Sequence, residues 1–367
     1  MAEAVTKDDN GAGQSAGPIV LSVDAMGGDR GPEAVVAGLA KAAGKNPSLR
    51  FVLHGQEDVL SKLVRKRKIS HITEIRHCPD VVTMNDKPSH VLRNGQGSSM
   101  WSCIESVKAG EASAAVSCGN TGALMLLSMI RLKRIEGVHR PAIACLWPSL
   151  SPSGFNVVLD VGADVKAEPR DLLHYALMGC SYARNGQEIS RPRIGLLNNG
   201  TEEHKGRAEM KEAHDLISAA AKQADFEFVG FVEGVDISSD RVDVVVTDGF
   251  TGNVALKTAE GTANIIKHLL KEAFKFSPLS RIAALLAYTS MKRLQKRIDP
   301  RRVNGGVFLG LTGTVIKSHG SADATGVAAA VHLAEKLAQK DFNNRLASRL
   351  ADATALLEAD ANGDAET

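Results

Sequence analysis

The sequence predicts an α/β fold: a largely parallel sheet with helices on both faces and a protruding helical hairpin. Three observations predict it. Short apolar runs alternate with amphipathic stretches of helical length, the repetition that builds a parallel sheet covered on both sides. Each β-rich run ends in a glycine-containing turn. The chain has 367 residues, 44% of them hydrophobic, enough to bury a core of this kind. At about 100–200 residues per domain, that length suits two lobes or one large α/β unit.

Residues 1–17 are small and polar, read as a disordered tail, and lack the apolar stretch of a signal peptide. Ile19–Val23 predicts the first strand, followed by Gly27-Gly28 and a helix opened by Pro32. Leu49–Leu53 and Ala114–Ser117 predict two more strands, the latter ending at Gly119-Asn120-Thr121-Gly122 before the apolar helix Ala123–Ile135. Phe155–Val161, Arg193–Leu197 and Val242–Thr247 are further β-rich runs. Helices are expected at Leu172–Arg184, Gly206–Lys222 and Asn253–Phe274. Gly305–Ile316 is again glycine- and β-rich, and His319–Thr325 leads into a helix at Gly326–Leu337. The catalytic unit is placed at 18–343 and an acidic, alanine-rich surface helix and tail at 344–367.

Composition excludes several functions. Lys and Arg number 44 against 42 Asp and Glu, a net charge of +2, too balanced for a dedicated nucleic-acid binder. Aromatics are 4%, too few for stacking platforms. No apolar run reaches the ~20 residues of a spanning helix, so a cytoplasmic protein is expected. Cys78, Cys103, Cys118, Cys145 and Cys180 form no CxxC pair, and no carboxylate cluster has metal-ligand spacing. No metal site is expected. The crowded Glu202, Glu203 and His204 read as solvated or loop-ordering.

Five glycine turns carry polar groups: Asp24-Ala25-Met26-Gly27-Gly28-Asp29, Ser117-Cys118-Gly119-Asn120-Thr121-Gly122, Asp160-Val161-Gly162-Ala163, Asn198-Asn199-Gly200 through Lys205-Gly206, and Asp248-Gly249-Phe250-Thr251-Gly252-Asn253. Glycine lets successive amides converge on an anion, and a following helix adds its N-terminal dipole. Ordinary loop chemistry explains any one turn; five at strand ends suggest a shared phosphate pocket. Neither GxGxxG nor GxxxxGK[ST] occurs, so inorganic phosphate or a small phosphorylated ligand is expected rather than a nucleotide cofactor. Ser318-His319-Gly320-Ser321-Ala322-Asp323 places a hydroxyl, an imidazole and a carboxylate on one turn before a helix. It reads either as catalytic machinery or as a capping segment.

These turns, together with Arg140-Pro141-Ala142-Ile143, Leu159-Asp160-Val161-Gly162-Ala163, Gly230-Phe231-Val232-Glu233-Gly234 and the stretch Asp243 to Lys257, resemble the bacterial PlsX phosphate acyltransferases. The likeness runs from about Ile19 to about Leu337. It implies transfer of a fatty acyl group from acyl carrier protein to inorganic phosphate, giving acyl phosphate for phospholipid synthesis. It also implies a homodimer without nucleotide or redox cofactor, a downstream membrane acyltransferase that consumes the product, and a fold like isocitrate and isopropylmalate dehydrogenases and phosphate acetyltransferases. Thr251-Gly252-Asn253 with Lys257 is similar to the phosphate-region turn of the acetyltransferases. Ser318-His319-Gly320 with Asp323 is similar to their catalytic turn, with His319 where they carry Arg and a different Asp spacing.

The expected site follows. Ser318, His319, Asp323 and Asn253 are the catalytic candidates. Asp24, Gly27, Gly28, Asn120, Thr121, Gly122, Asn198, Gly200, Lys205, Asp248, Gly249, Thr251, Gly252 and Lys257 are the substrate-binding candidates. The Gly249–Asn253 and Gly27-Gly28 amides would cradle phosphate with Lys205 or Lys257 offsetting its charge, Asn253 and His319 would face the oxyanion, His319 or Ser318 would protonate the thiolate, and Asp323 would orient either. Ala123–Ile135 is either core or a groove for the acyl chain. An acidic carrier protein needs a basic dock, offered by Arg65-Lys66-Arg67-Lys68 or by Lys292, Arg293, Lys296, Arg297, Arg301 and Arg302. The hairpin at about 262–299 carries apolar Ile265, Ile266, Leu269, Leu270 and Ile282–Tyr288, read as a peripheral contact with the inner face of the membrane or as dimer packing. The alternatives are a phosphate acetyltransferase-like enzyme using short acyl-coenzyme A and a non-catalytic membrane-associated scaffold.

Overall fold

The computed structural model describes residues 18–202, 205–298, 305–339 and 342–351. The first strands and helices form where the spacing places them. β1 (Ile19–Asp24) leads to α1 (Gly31–Ala43), which Pro32 opens, then β2 (Leu49–Gly55), α2 (Glu57–Lys66) and β3 (Thr73–His77). Next come α3 (Pro88–Asn94), α4 (Ser99–Lys108), β4 (Ala114–Ser117) and α5 (Thr121–Arg131). The middle of the chain forms β5 (Ala142–Pro148), β6 (Phe155–Leu159), α6 (Pro169–Gln187), β7 (Arg193–Leu197), α7 (Ala208–Ala221), β8 (Glu227–Val232) and β9 (Val244–Val246). The 27-residue α8 (Gly249–Lys275) is followed by α9 (Pro278–Leu286), α10 (Tyr288–Ile298), β10 (Gly306–Leu309), β11 (Thr314–Lys317) and α11 (Ala324–Gln339). Residues 342–351 are helical.

The strands form one sheet of 11 in the order β3-β2-β1-β4-β11-β10-β5-β6-β9-β7-β8. Strands of the buried interior, such as Ala114–Ser117 and Val244–Val246, are apolar or small on both faces, as double coverage requires. β3 is half-exposed at an edge and carries Thr73, Glu74, Arg76 and His77, so no apolar run marked it. β5 and β8 were also unmarked by the periodicity; both are glycine- or alanine-containing strands bordered by Pro and Gly.

The sheet carries an antiparallel seam. β10 runs antiparallel to β11 and to β5, and β5 antiparallel to β6, whereas all the other pairs are parallel. The half containing β6, β9, β7 and β8 therefore runs opposite to the half containing β3, β2, β1, β4 and β11. The glycine turns at carboxyl ends consequently fall into two sets, one at each edge of the strands.

The two faces bury different helices. One carries α1, α6, α7 and α11 against Val23, Val116, Leu159, Leu196 and Ile316. The other packs α4 and α5, and Ala255, Leu256 and Ala259 of α8, against Ala115, Ile143, Val158, Val245, Phe308 and Val315. Leu124, Met125 and Leu127 of α5 are buried in that core, so they do not line an open acyl groove. Phe342, Leu346 and Leu350 are buried as well, and Phe342 meets Tyr182 edge-on at 6.3 Å. The helix at 342–351 is thus packed against the domain rather than lying loosely on its surface. Residues 1–17 and those from 352 onward lie outside the described residues.

Beyond residue 260, α8 leaves the sheet. Only Gly249 and Gly252 of its residues are buried, and Ile265, Ile266, Leu269 and Leu270 are exposed. Ser277 caps α9 by accepting the Ser280 amide at 3.1 Å, with Pro278 in the first turn. Phe276, Leu279, Leu285 and Leu286 lie open at its tip. No described helix is long and apolar enough to cross a membrane.

Candidate active site

The first set of turns is stitched together around Asp24. This carboxylate, at the end of β1, is 1% exposed and accepts the hydroxyls of Ser99 and Ser117, each at 2.7 Å. Ser117 Oγ in turn accepts the Gly119 amide at 3.0 Å. The Ser318 amide donates to Ser117 O at 2.9 Å, and the Asp29 amide to Gly320 O at 2.8 Å. Gly28 has φ +93°, and a Cβ there would lie 2.9 Å from both Cys118 Cβ and Gly320 O. Only glycine lets the β1 turn close against the β4 and β11 turns. Gly27 is equally tight, with a Cβ position 2.7 Å from Asp24 Oδ2 and from the Gly119 nitrogen.

Several polar candidates prove to be wiring of the turns. Asn120 accepts the Ala123 amide at 3.1 Å, capping α5, while its Nδ2 reaches Met84 O at 3.0 Å and Asp86 O at 2.9 Å. It thereby sets Thr121 and Gly122 as the open first turn of α5. Asn198 Nδ2 donates to Gly200 O at 3.1 Å and Lys205 O at 3.2 Å, closing its loop. Lys205 is exposed and paired with Glu202 at 2.8 Å, and that contact raises its pKa. Glu203 and His204 lie outside the described residues.

The second set gathers at the start of α8. Asp248 caps the helix, accepting the Thr251 amide at 2.8 Å and its hydroxyl at 2.9 Å, and Arg207 lies 3.4 Å away. Asp160 accepts the amides of Ile143, Gly162, Ala163 and Asp164, and burial nevertheless pushes its carboxyl above the ordinary range. Gly249 and Gly252 sit directly on this loop: Cβ atoms there would come within 2.1 Å of Asp164 O and 1.9 Å of Asp160 O. Asn253 is exposed and lies against Gly162. Asn253, Val254, Lys257 and Thr258 line a shallow hollow.

The register of the strands shows how the two sets meet. α8 starts beside Asp160, and its Glu260 bears electrostatically on Cys145 of β5. Lys317 pairs with Ser117 on one side and Gly306 on the other, and extending the β10–β5 register puts Gly306 opposite Cys145. Ser117, Lys317, Gly306 and Cys145 thus form one row across the sheet. Alternation places Lys317 on the face of Val315, the face that carries α5 and α8. Lys257 stands one turn before Glu260 and acts on Lys317. Lys257 of α8 is thus within electrostatic reach of Lys317 at the first set of turns.

Lys317 was missed by the sequence reading. It is 8% exposed, and its Nζ donates to Ser318 O and, at 3.4 Å, to Cys118 O. Burial is the main cause that brings its pKa down to about 8, with Lys257 adding to it. Its signal in the sequence was a cation ending the apolar strand Thr314–Lys317 directly before Ser318-His319. Ser318 is fully buried and His319 exposed. His319 Nδ1 meets Ser321 Oγ at 2.8 Å and the Ser321 amide at 3.2 Å. Asp323 accepts the Thr325 and Gly326 amides at 2.9 and 3.0 Å, the contacts of a cap for α11. Cys118 is buried, and burial pushes its thiol up, opposite to what a nucleophile needs. Among the described residues, no group of His, Cys, Asp and Glu could hold a metal ion.

A family model described as "Fatty acid synthesis protein" matches residues 19–345. The chain belongs to this family. Phosphate acyltransferase from Jannaschia sp. (strain CCS1) is 69% identical over 340 residues, 92% of this chain and 93% of that protein. The phosphate acyltransferase of Ruegeria pomeroyi is 65% identical over 358 residues, covering 97% and 96% of the two chains. The family is thus that of the phosphate acyltransferases, and the protein is an acyltransferase enzyme. A phosphotransacetylase from Streptococcus pyogenes shares the fold at 16% identity, with a TM-score of 0.57 over 87% of this chain and 93% of that one. A branched-chain phosphotransacylase from Enterococcus faecalis does so at 13% identity and a TM-score of 0.54, over 87% and 99%.

Proposed function

We propose that this phosphate acyltransferase-family protein takes a fatty acyl group from acyl carrier protein and transfers it to inorganic phosphate, releasing acyl phosphate for phospholipid synthesis. The observation that carries this reading is the buried Lys317 at the carbonyls of two glycine turns, with Lys257 acting on it from α8. That arrangement suits a small, doubly charged oxyanion.

Phosphate is already an oxyanion and needs alignment more than deprotonation. One phosphate oxygen attacks the thioester carbonyl carbon, the tetrahedral oxyanion collapses, the C–S bond breaks, and the departing thiolate takes a proton. Asn253 at the first turns of α8 faces the oxyanion, and exposed His319, steadied at Nδ1 by Ser321, meets the oxyanion or the thiolate. Ser318, buried beside Cys118, and Asp323, at the α11 cap, hold the turn that carries His319. Lys205, on its exposed loop, and Asp248, Thr251 and Gly249 at the head of α8 shape the other side of the site.

The arm of α8, α9 and α10 carries the remaining roles. The stripe of Ile265, Ile266, Leu269 and Leu270 suits a second copy of the chain, and a particle of twice 38.9 kDa by light scattering checks this. The α9 tip, with Leu285 at 76% and Leu286 at 80% exposure, suits the inner face of the membrane, where the consuming acyltransferase would sit. Lys292 and Arg293 on α10, or Arg65-Lys66-Arg67-Lys68 at the end of α2, offer the acidic carrier a dock; Arg301 and Arg302 lie outside the described residues. The deciding experiment offers palmitoyl-carrier protein and a short acyl-coenzyme A side by side with phosphate. Acyl phosphate from the carrier substrate is expected. Product from the short coenzyme A ester alone overturns the reading.

A further inference from the structure

Lysine side chains ordinarily keep the ammonium in water while burying the stem. Lys317 does not. Its Nζ is held inside by two carbonyl oxygens, and no carboxylate among the described residues pairs with it. Asp24 and Asp29 act on it from β1 and the following loop, and Cys118 from the α5 turn, all favouring the charge, while Lys257 on α8 opposes it. Asp24, the buried one of these two carboxylates, is already engaged by Ser99 and Ser117.

Such a charge is costly to the fold, and an apolar side chain of similar volume would serve stability as well or better. Its position suggests what offsets that cost. Its Nζ lies at the carbonyls of Cys118 and Ser318, in the β4 and β11 turns that close against Gly28. Lys257, ion-paired with Glu260 at 2.8 Å, acts on the same ammonium from α8. A buried ammonium at the carbonyls of two glycine turns, with a second cation acting on it, suits a doubly charged anion.

Resting on the acyl-transfer reading above, we propose that Lys317 contacts the phosphate acceptor directly, its ammonium holding one phosphate oxygen where the β4 and β11 turns meet. The ammonium supplies a compact point charge, and Lys257 supplies the second. The attacking oxygen is thereby presented to the thioester carbonyl, while Lys317 itself keeps its proton throughout.

The test compares wild type, Lys317→Met and Lys317→Arg for the KM of phosphate, the KM of the acyl donor and the melting temperature with and without inorganic phosphate. The Met variant should raise the phosphate KM ~10- to 100-fold, as expected for loss of one charge-assisted hydrogen bond, with the donor KM unchanged. Its melting temperature without phosphate should equal or exceed that of wild type, and the stabilisation by phosphate should vanish. In wild type the phosphate KM should climb above about pH 8 as the ammonium is lost, although phosphate is fully dianionic there. Arg does not titrate in that range, so Lys317→Arg should flatten the climb even where its KM is higher throughout. A Met variant that keeps the phosphate KM within about 3-fold of wild type and is still stabilised by phosphate overturns the proposal, as does an Arg variant with the wild-type pH profile. Absence of acyl phosphate from wild type counts instead against the acyl-transfer reading, because the melting shift with phosphate tests Lys317 without turnover.

Discussion

His54 should make this protein acid-labile by a calculable amount. The imidazole ends β2 beneath α4, with Nε2 2.9 Å from Ser22 Oγ and Nδ1 2.8 Å from Ser102 Oγ. It is fully buried, and burial, aided by the charge on Arg76, lowers its pKa from 6.5 to about 4. Because the shift is downward for a base, the folded protein keeps His54 neutral where the unfolded chain already binds a proton. Stability from this group is therefore intact above about pH 6.5 and lost as the pH falls toward 4. A difference of 2.5 between those two values, at 1.4 kcal/mol each, amounts to about 3 kcal/mol. The perturbation is His54→Gln, which retains a polar side chain and cannot titrate. Urea unfolding of both proteins at a series of pH values gives the assay, and the difference between them cancels every other titrating group. Near pH 7 the variant should be less stable by about 1–3 kcal/mol for its imperfect hydrogen bonds. The gap should close, and the two curves approach or cross, as the pH falls to about 4. A difference that stays flat over that interval refutes the reasoning.

Gly252→Ala forces a methyl into Asp160 O at a built distance of 1.9 Å, so the head of α8 must move, and kcat/KM should fall by about 10²-fold. Gly261→Ala, with nothing within 4 Å, should leave turnover intact and raise stability by up to ~1 kcal/mol, as thermal melting will read. Asn253→Ala and His319→Ala should each lower turnover by ~10²–10³-fold with acyl-carrier substrate, and near-native rates in both would remove these residues from the chemistry. Leu285→Glu/Leu286→Glu should abolish flotation with anionic vesicles while leaving turnover of soluble substrate unchanged; equal flotation rules out a lipid contact at the tip.

Much of the framework was legible because its signals are local. Ala114–Ser117 and the Val-rich run ending at Val246 are strands by composition, and Pro32, Asn120 and Asp248 mark helix starts by chemistry that acts within a few residues. The glycine turns were legible as turns, but not the partition between them. That depends on β10 and β5 running antiparallel to their neighbours, a pairing between segments about 160 residues apart in the chain. The edge strand β3 was illegible for the opposite reason: half-exposed, it has no apolar run to show.

The residue types that suggested ligand binding divide according to where their hydrogen bonds end. Asp24, Asn120, Asn198 and Asp248 are polar groups next to glycine, and each spends its capacity on the backbone or hydroxyls of its own turn or of a segment packed against it. The object of that chemistry is not visible in the sequence, since a loop that holds itself and a loop that holds an anion need the same donors and acceptors. Lys317 is the converse case. One cation at the end of an apolar strand is unremarkable in the sequence, and only the row Ser117–Lys317–Gly306 shows it buried and without a carboxylate among the described residues. A polar residue whose bonds close on its own loop explains how the loop holds its shape. A buried charge that the described fold leaves uncompensated calls for an opposite charge from outside, and in a phosphate acyltransferase the acceptor brings one.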